Sequence, residues 1–148
     1  MGLGWDTNCD IDASIILLDI QGNLVDFVYY GKTCTDNKSI IHSGDNRNGA
    51  GEGDDETIFI YLDKMNKMVD SIWPVITIYS NDKKFSDVKG SFCRLIDPTD
   101  KEFCRINLSD NYDNISNGNI MCSIKRHTTG AWALKARGYY TYNTRTYK

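Results

Sequence analysis

The apolar residues of this chain come in short runs separated by turn-forming residues, and this pattern constrains the fold more than any other feature. Residues 57–63 alternate, with Ile58 and Ile60 on one face and Phe59 on the other. Residues 13–20 and 24–30 are two such runs around Gln21-Gly22-Asn23, which predicts a hairpin. With about nine or ten segments of this kind, we predict an all-β chain, an antiparallel β-sandwich with one or two short helices.

Two further hairpins follow from the same pattern in the second half of the chain. Residues 90–96 and 102–108 flank a turn that contains Pro98, and residues 119–125 and 132–138 flank a turn that contains Gly130. Turn residues between two β-type runs predict antiparallel pairing of the runs. The three hairpins together favour short connections and antiparallel sheets.

Two segments depart from the strand pattern. Residues 64–70 carry Met65, Met68 and Val69 at helical spacing, which predicts one or two helical turns. Residues 72–79 indicate a central strand, but Pro74 lacks the N–H that a sheet ladder needs. We therefore expect Pro74 at a sheet edge or a bulge.

Size and charge fit one globular domain, which we place over residues 1–148. The chain has 148 residues and a formal net charge of −3. Residues 1–70 hold 13 acids and 5 bases, whereas residues 71–148 hold 7 acids and 12 bases. This asymmetry favours one acidic site and one basic surface over a chain that binds nucleic acid throughout.

Cysteine usage and apolar length bear on the compartment. No apolar stretch approaches the roughly 20 residues that a bilayer requires, so no membrane span is expected. The five cysteines never occur as C-x-x-C, and no charged-then-apolar leader precedes them. We expect five free thiols and a cytoplasmic protein.

One segment breaks the ordinary composition, and we call residues 44–56 the acidic loop. It contains five acids and four glycines in thirteen residues, and three of the acids, Asp54 to Glu56, are consecutive. Hard oxygen ligands without His or Cys favour Ca²⁺ over Zn²⁺ or copper. Asp10 and Asp12 point the same way from an extended segment, which suits joint ligation. A solvated acidic turn would have the same composition.

Four separated motifs carry a resemblance to a known family. In chain order they are Gly2-Leu3-Gly4-Trp5-Asp6, Asp10-Ile11-Asp12-Ala13-Ser14, His42-x-Gly44-Asp45-Asn46 and Gly51-Glu52-Gly53-Asp54-Asp55-Glu56. In this order, and over nearly the entire chain, the sequence resembles the TerD family of tellurite-resistance and stress proteins. The resemblance implies a β-sandwich that binds calcium through these acidic motifs, commonly as two ions.

The resemblance also implies where calcium is held. The site would form where the segment containing Asp10 and Asp12 meets the acidic loop, and Asp54 or Asp55 would matter more than Glu52. The implied ligands are Asp10, Asp12, Asp45, Asn46, Gly51, Gly53, Asp54, Asp55 and Glu56. The family usually has a strand before its Gly-Leu-Gly-Trp-Asp motif, so we expect either that this domain lacks that edge strand or that the sequence is a truncated version.

The function class that we expect is a binding module and not an enzyme. It would be a calcium-binding module of the stress-response and tellurite-resistance type, in which Ca²⁺ orders the acidic loop and the module binds protein partners of a stress complex. No Gly-x-Ser-x-Gly, P-loop or dinucleotide motif occurs. Cys34 and His42 invite comparison with a nucleophile pair, but a buried thiol and an imidazole at the end of a strand are favoured. As an alternative, His42 supports the acidic loop through a hydrogen bond.

Two alternatives stay open at this point. The first is a metal-dependent enzyme that processes phosphoesters. The second is a nucleotide or nucleic-acid module that uses the basic half, although we do not expect nucleic acid as the partner. Its candidate residues are Lys125, Arg126, Lys135, Arg137, Arg145 and Lys148, interleaved with Tyr139, Tyr140, Tyr142 and Tyr147.

Overall fold

Two five-stranded antiparallel sheets form the protein in a computed structural model that describes residues 1–110 and 115–142. Their strands, in chain order, are β1 (Gly2–Gly4), β2 (Ile11–Leu18), β3 (Leu24–Val28), β4 (Ile40–His42), β5 (Glu56–Ile60), β6 (Ser71–Ile78), β7 (Phe92–Ile96), β8 (Glu102–Asn107), β9 (Gly118–Arg126) and β10 (Trp132–Thr141). The first sheet has the order β4-β5-β1-β7-β8, and the second has the order β10-β9-β6-β2-β3. The predicted antiparallel β-sandwich is confirmed.

All three predicted hairpins are present. Strand β2 pairs with β3, β7 with β8, and β9 with β10, each in antiparallel register. Within each pair the turn residues lie where the sequence places them, because Gly22 and Gly130 both adopt the positive φ that such turns require.

The helical content differs from the prediction. Three short 3-10 helices occur in the described segments, at Leu62–Lys64, Phe85–Asp87 and Leu108–Asp110. The helical turns predicted over residues 64–70 are wrong, because the 3-10 helix ends at Lys64 and Met65 is already extended. Met65 and Val69 are buried nonetheless, so their spacing reflects packing of an irregular segment onto the core.

Pro74 lies in β6, the middle strand of the second sheet, and the sheet accommodates it with a bulge. The register between β6 and β9 shifts between Ile72 and Val75, whereas on the other side Pro74 lies opposite Ile15 of β2. The bulge removes a ladder position that would require the missing N–H. The expectation that Pro74 lies at a sheet edge or a bulge is thus confirmed, and the feature present is a bulge.

The core lies between the sheets and contains the inward-facing residues of each strand. In β2, Ile15 and Leu17 are buried, while Ile16 and Leu18 on the other face are half-buried. Burial of each large aliphatic side chain stabilises the fold by roughly 1.5–3 kcal/mol. The core therefore fixes the register of β2 and with it the positions of the acids at its start.

Two further findings concern the cysteines and the length of the helices. All five cysteines are free, as the sequence predicts. In the part of the chain that the structure describes, no helix is long and apolar enough to cross a membrane.

Candidate metal centre

Three carboxylates converge at the start of β2, and we call Asp10, Asp12 and Asp45 the carboxylate cluster. One oxygen from each lies within 4.8 Å of the others. Asp10 and Asp12 flank Ile11, so the alternation of an extended chain points them to one side. Asp45, near the start of the acidic loop, reaches them from the connection between β4 and β5. Asp12 is 1% exposed, whereas Asp45 is exposed.

Asp10 is held in a setting that opposes its charge. Burial, and next the nearby carboxylate of Asp45, raise the pKa of Asp10 above its ordinary value, although Arg47 acts in the opposite direction. Its Oδ1 atom is buried and receives no hydrogen bond from the described residues, and Arg47 Nε lies 3.8 Å from its Oδ2. A buried acceptor without a donor costs roughly 1–3 kcal/mol, and a cation in the cluster would remove that cost.

Asp55 and Asn46 organise the acidic loop by hydrogen bonds to each other and to β1. Asp55 Oδ2 accepts from the backbone N–H of Trp5 at 2.9 Å, and Asp55 Oδ1 accepts from Asn46 Nδ2 at 3.2 Å. Asn46 Oδ1 accepts in turn from the backbone N–H groups of Asn48 and Gly49. These two predicted ligands therefore fold the loop and hold it beside the start of the chain.

Glu56 joins the two sheets from a buried position. Its Oε2 accepts from the N–H of Ala13 in β2 at 2.9 Å, and its Oε1 accepts from the N–H of Asn46 at 3.2 Å. The residue is 1% exposed, and His42 Nε2 lies 3.5 Å from its Oε2. The carboxylate of Glu56 thus fixes the distance between the acidic loop and β2.

His42 supports the acidic loop, as one of the sequence interpretations held. Gly44 donates its N–H to His42 Nδ1 at 3.0 Å, so Nδ1 is the acceptor in this contact. Within the described residues this ring makes two polar contacts, one with Gly44 and one with Glu56. Cys34 instead bridges Ile41 through its backbone, so the pairing needed for a nucleophile is not made.

Asp54 is bound by an arginine. Arg94 Nε lies 2.9 Å from Asp54 Oδ1 and Arg94 Nη2 lies 2.9 Å from Oδ2, which is a bidentate pair between the loop and β7. Gly2 makes room for it, since a Cβ on Gly2 would lie 2.2 Å from Asp54 Oδ2. Asp54 is thereby directed toward β1 and β7.

Two glycines predicted as carbonyl ligands serve the course of the loop. Gly51 and Gly53 both adopt positive φ, which glycine favours. The carbonyl oxygen of Gly53 approaches β1 so closely that a Cβ on Gly4 would lie 2.3 Å from it. Of the nine predicted ligands, the structure brings three carboxylates together and uses most of the remainder to hold the loop against β1 and β2.

Tyr30 and Tyr79 border the carboxylate cluster, and the sequence analysis missed them. Their ring centroids are 6.2 Å apart with an interplanar angle of 78°. Burial raises the pKa of Tyr30, and the nearby Tyr79 and Asp12 add to this effect. Both follow the ends of strands, and nothing in their local pattern distinguishes them from the other tyrosines of the chain.

The basic residues of the last hairpin are largely engaged by the protein. Arg126 donates to the carbonyls of Val69 and Asn66, and its guanidinium lies 4.3 Å from the Trp132 ring. Arg137 donates to Ser123, and Lys125 Nζ lies 3.7 Å from Asp70. Of the other residues named for this surface, Arg145, Tyr147 and Lys148 lie outside the described residues. The arginines of this hairpin are therefore held by contacts within the protein, whereas Lys125 and Lys135 stay exposed.

Comparison with known proteins agrees with this architecture. The chain matches the model of the TerD domain over residues 1–144. It is 36% identical over 152 aligned residues to general stress protein 16U of Bacillus subtilis, covering 93% of this chain and 78% of the relative. It is 35% identical over 151 residues to the tellurium resistance protein TerD of an Alcaligenes species, with the same coverage of 93% and 78%.

The solved structures agree on the fold. A homologue of the telluride resistance protein TerD from Streptomyces coelicolor superposes with a TM-score of 0.81 at 18% identity, covering 96% of this chain and 89% of that chain. The sandwich, the family model and the related sequences lead to the same conclusion. The chain belongs to the TerD domain family.

Proposed function

We propose that the protein is a calcium-binding module and that the carboxylate cluster is its primary ion site. The observation that carries the proposal is the convergence of Asp10, Asp12 and Asp45 around a buried Asp10 oxygen that has no donor. Three carboxylates that face one another repel, and an ion with a charge of +2 between them is attracted to all three. Oxygen donors are also the ligands that Ca²⁺ takes.

The setting of the cluster favours Ca²⁺ over Mg²⁺. Asp45 belongs to a loop with four glycines, so its carboxylate adjusts to an ion with a large and variable shell. Mg²⁺ demands a compact octahedral shell at about 2.1 Å, which such a loop does not impose. The second ion implied by the family resemblance would draw on loop oxygens of Asn46, Gly51 and Asp55.

The cellular role that we propose is in stress response or tellurite resistance, and it follows the names of the related proteins. Calcium would order the acidic loop, and the ordered loop would present a different surface to protein partners of a stress complex. Five free thiols support the cytoplasm as the place of action. In this proposal the protein acts by binding and does not turn over a substrate.

Calorimetric titration of the chelator-stripped protein tests the proposal. We expect saturable Ca²⁺ binding, at least tenfold weaker Mg²⁺ binding, and loss of the primary site in Asp12→Asn and Asp45→Asn. Glu52→Gln, an exposed acid in the same loop, is the matched control and should leave binding unchanged. Preference for Zn²⁺, or equal binding by the Asp45→Asn variant, would contradict the ligand set. Metal-dependent hydrolysis of phosphate esters, lost in the same variants, would favour the enzyme alternative.

A further inference from the structure

The outer face of the second sheet is apolar at its centre, and no other sheet of the described protein packs on it as a second layer. Ile16 pairs with Trp73, and Val75 pairs with Ile120, so these side chains share one face of β2, β6 and β9. Ile120 pairs in turn with Tyr139 of β10, which is 56% exposed. The other four are half-buried. The centre of this face is therefore a continuous apolar surface across four strands.

One corner of the same face is acidic. Asp12 precedes Ser14 and Ile16 by two and four positions in β2, so it has the parity of the outer face. It lies at the end of the strand, where Asp10 and the exposed Asp45 complete the carboxylate cluster. The cluster brings three carboxylates to this corner, and Arg47 Nε lies 3.8 Å from Oδ2 of Asp10.

The diagonally opposite part of the face is basic. At the far end of β2, Leu18 lies opposite Ser71 of β6, and Ser71 lies opposite Lys125 of β9. Lys125 in turn lies opposite Ala133 of β10. Lys135 pairs with Ser123 on the same edge and is exposed. The guanidinium of Arg137 lies 5.6 Å from the Trp73 ring, which places it over the outer face as well.

From this layout we propose that the outer face of the second sheet is self-complementary and that two copies of the chain associate through it. A two-fold axis in the plane of the interface, perpendicular to the diagonal, maps the acidic corner of one copy onto the basic edge of the other. The operation makes this contact twice and places the apolar centre on itself, as an isologous interface requires. Because the acidic and basic parts occur on one face, a second copy satisfies both charges at once.

The size of the face sets the strength of the association. Five strands about 4.8 Å apart and a rise of about 3.4 Å per residue give a patch of roughly 400 Å² on each copy. This is about half of the area that each partner buries in a standard stable interface, so we expect a transient dimer. Charged contacts at the rim would make the association sensitive to salt.

The inference goes beyond the calcium proposal, because it needs the three carboxylates but not the ion. Calcium in the carboxylate cluster would neutralise the acidic corner and weaken the dimer. The two proposals therefore fail separately. Salt-sensitive dimers that Ca²⁺ leaves unchanged would support the interface and count against the calcium site, whereas a protein that is monomeric in chelator and still binds Ca²⁺ would do the reverse.

Sedimentation equilibrium of the full chain tests the interface from about 20 μM to about 1 mM, in low salt with chelator. We expect the weight-average mass to rise with concentration from 16.8 kDa toward twice that value. Lys135→Glu and Asp45→Lys should each weaken association at least tenfold, because each places like charges at both contacts. Both positions are exposed, so the variants should fold.

A charge swap makes the test decisive. An equimolar mixture of Lys135→Glu and Asp45→Lys should associate again, since each altered corner then meets its opposite, and the double variant should associate with itself. Lys101→Glu, the same change in the turn between β7 and β8 of the first sheet, should leave the dimer intact. A protein that stays monomeric at 1 mM in low salt, or a mixture that does not associate, would overturn the proposal and leave the face to a different partner.

Discussion

The two ends of the acidic loop contain carboxylates of the same kind in opposite situations. At its end, Asp54 is bound by Arg94, Asp55 by the N–H of Trp5, and Glu56 by the N–H of Ala13. At its start, Asp45 meets Asp10 and Asp12, which are acids. In the denser run of acids, each of the three carboxylates thus accepts a hydrogen bond from another part of the protein.

This difference teaches that the hydrogen-bond donors around each carboxylate, and not the local density of acids, distinguish the two ends of the loop. A carboxylate that accepts two or three N–H bonds is stabilised in its charged form within the protein. At the start of the loop, burial and next the carboxylate of Asp45 raise the pKa of Asp10, and its Oδ1 receives no hydrogen bond from the described residues. The sequence shows where acids are, whereas the donors come from strands far away in the chain.

The largest expected effect is a calcium-dependent rise in Tm that needs the start of the loop and not its end. Ca²⁺ at a thousandfold excess over Kd stabilises the native state by about 4 kcal/mol. For a domain of this size that corresponds to a rise of about 10 °C. Melts with chelator and with millimolar Ca²⁺ should show this shift for the wild type and Asp54→Asn, but not for Asp12→Asn combined with Asp45→Asn. Loss of the shift in Asp54→Asn alone would erase the distinction between the two ends.

The next effect concerns the structural end of the loop and should appear without any metal. Glu56→Ala leaves the N–H groups of Ala13 and Asn46 without their acceptor in a buried site. We expect a loss of about 2–3 kcal/mol in the free energy of unfolding. Urea titration in chelator measures it, and the exposed Glu52→Ala should stay within about 0.5 kcal/mol of wild type. Equal losses for the two variants would mean that Glu56 does not join the sheets.

A smaller effect is expected at Asp54, because its pair with Arg94 is partly exposed to water. Asp54→Asn removes one charge of the bidentate pair, and we expect a loss of about 1 kcal/mol in unfolding free energy. Calcium affinity should change by no more than about twofold, as for independent sites. Calorimetry alongside urea titration separates the two quantities, and a tenfold fall in affinity would return Asp54 to the ligand set that the sequence predicts.

The smallest effect is local and concerns the reactivity of three buried thiols. Burial raises the pKa of Cys122 to about 12 and raises those of Cys93 and Cys9 as well, so all three should react slowly with a thiol reagent at pH 8. Cys9 adjoins Asp10, so removal of calcium should loosen its surroundings and accelerate its labelling severalfold. Mass spectrometry of labelled peptides resolves the sites. Equal acceleration at Cys93 and Cys122 would indicate that the whole sandwich opens.

Local pattern was sufficient for most of the fold. Alternation and turn residues identify the three hairpins, and the chemistry of proline identifies the bulge at Pro74. The helical spacing of Met65 and Val69 led to a wrong prediction, because the same spacing also occurs in an irregular segment that packs on the core. Whether a segment forms a strand depends on a pattern of five to eight consecutive residues, and a single sequence contains that pattern.

The site was less predictable, because its geometry depends on contacts across the chain. The pairing of Asp10 with Asp12 follows from alternation, but the place of Asp45 depends on how the loop crosses to the second sheet. Arg94 binds Asp54 although the two residues are 40 positions apart in sequence. Glu56 accepts from the N–H of Ala13, which is 43 positions away. No local period records such partners, so the sequence predicts a ligand set that is larger than the observed cluster.

The place of β1 in the middle of the first sheet determines how this protein folds. Gly2 pairs with Thr57 on one side and with Arg94 on the other, so three residues at the start of the chain connect two strands that are synthesised much later. Closing such long loops is slow compared with forming a local hairpin. The hairpins should therefore form early, and the first sheet should form late, when β1 enters the gap between β5 and β7. Until that step, both strands expose an unpaired edge, and the half-folded chain is at its most prone to aggregate.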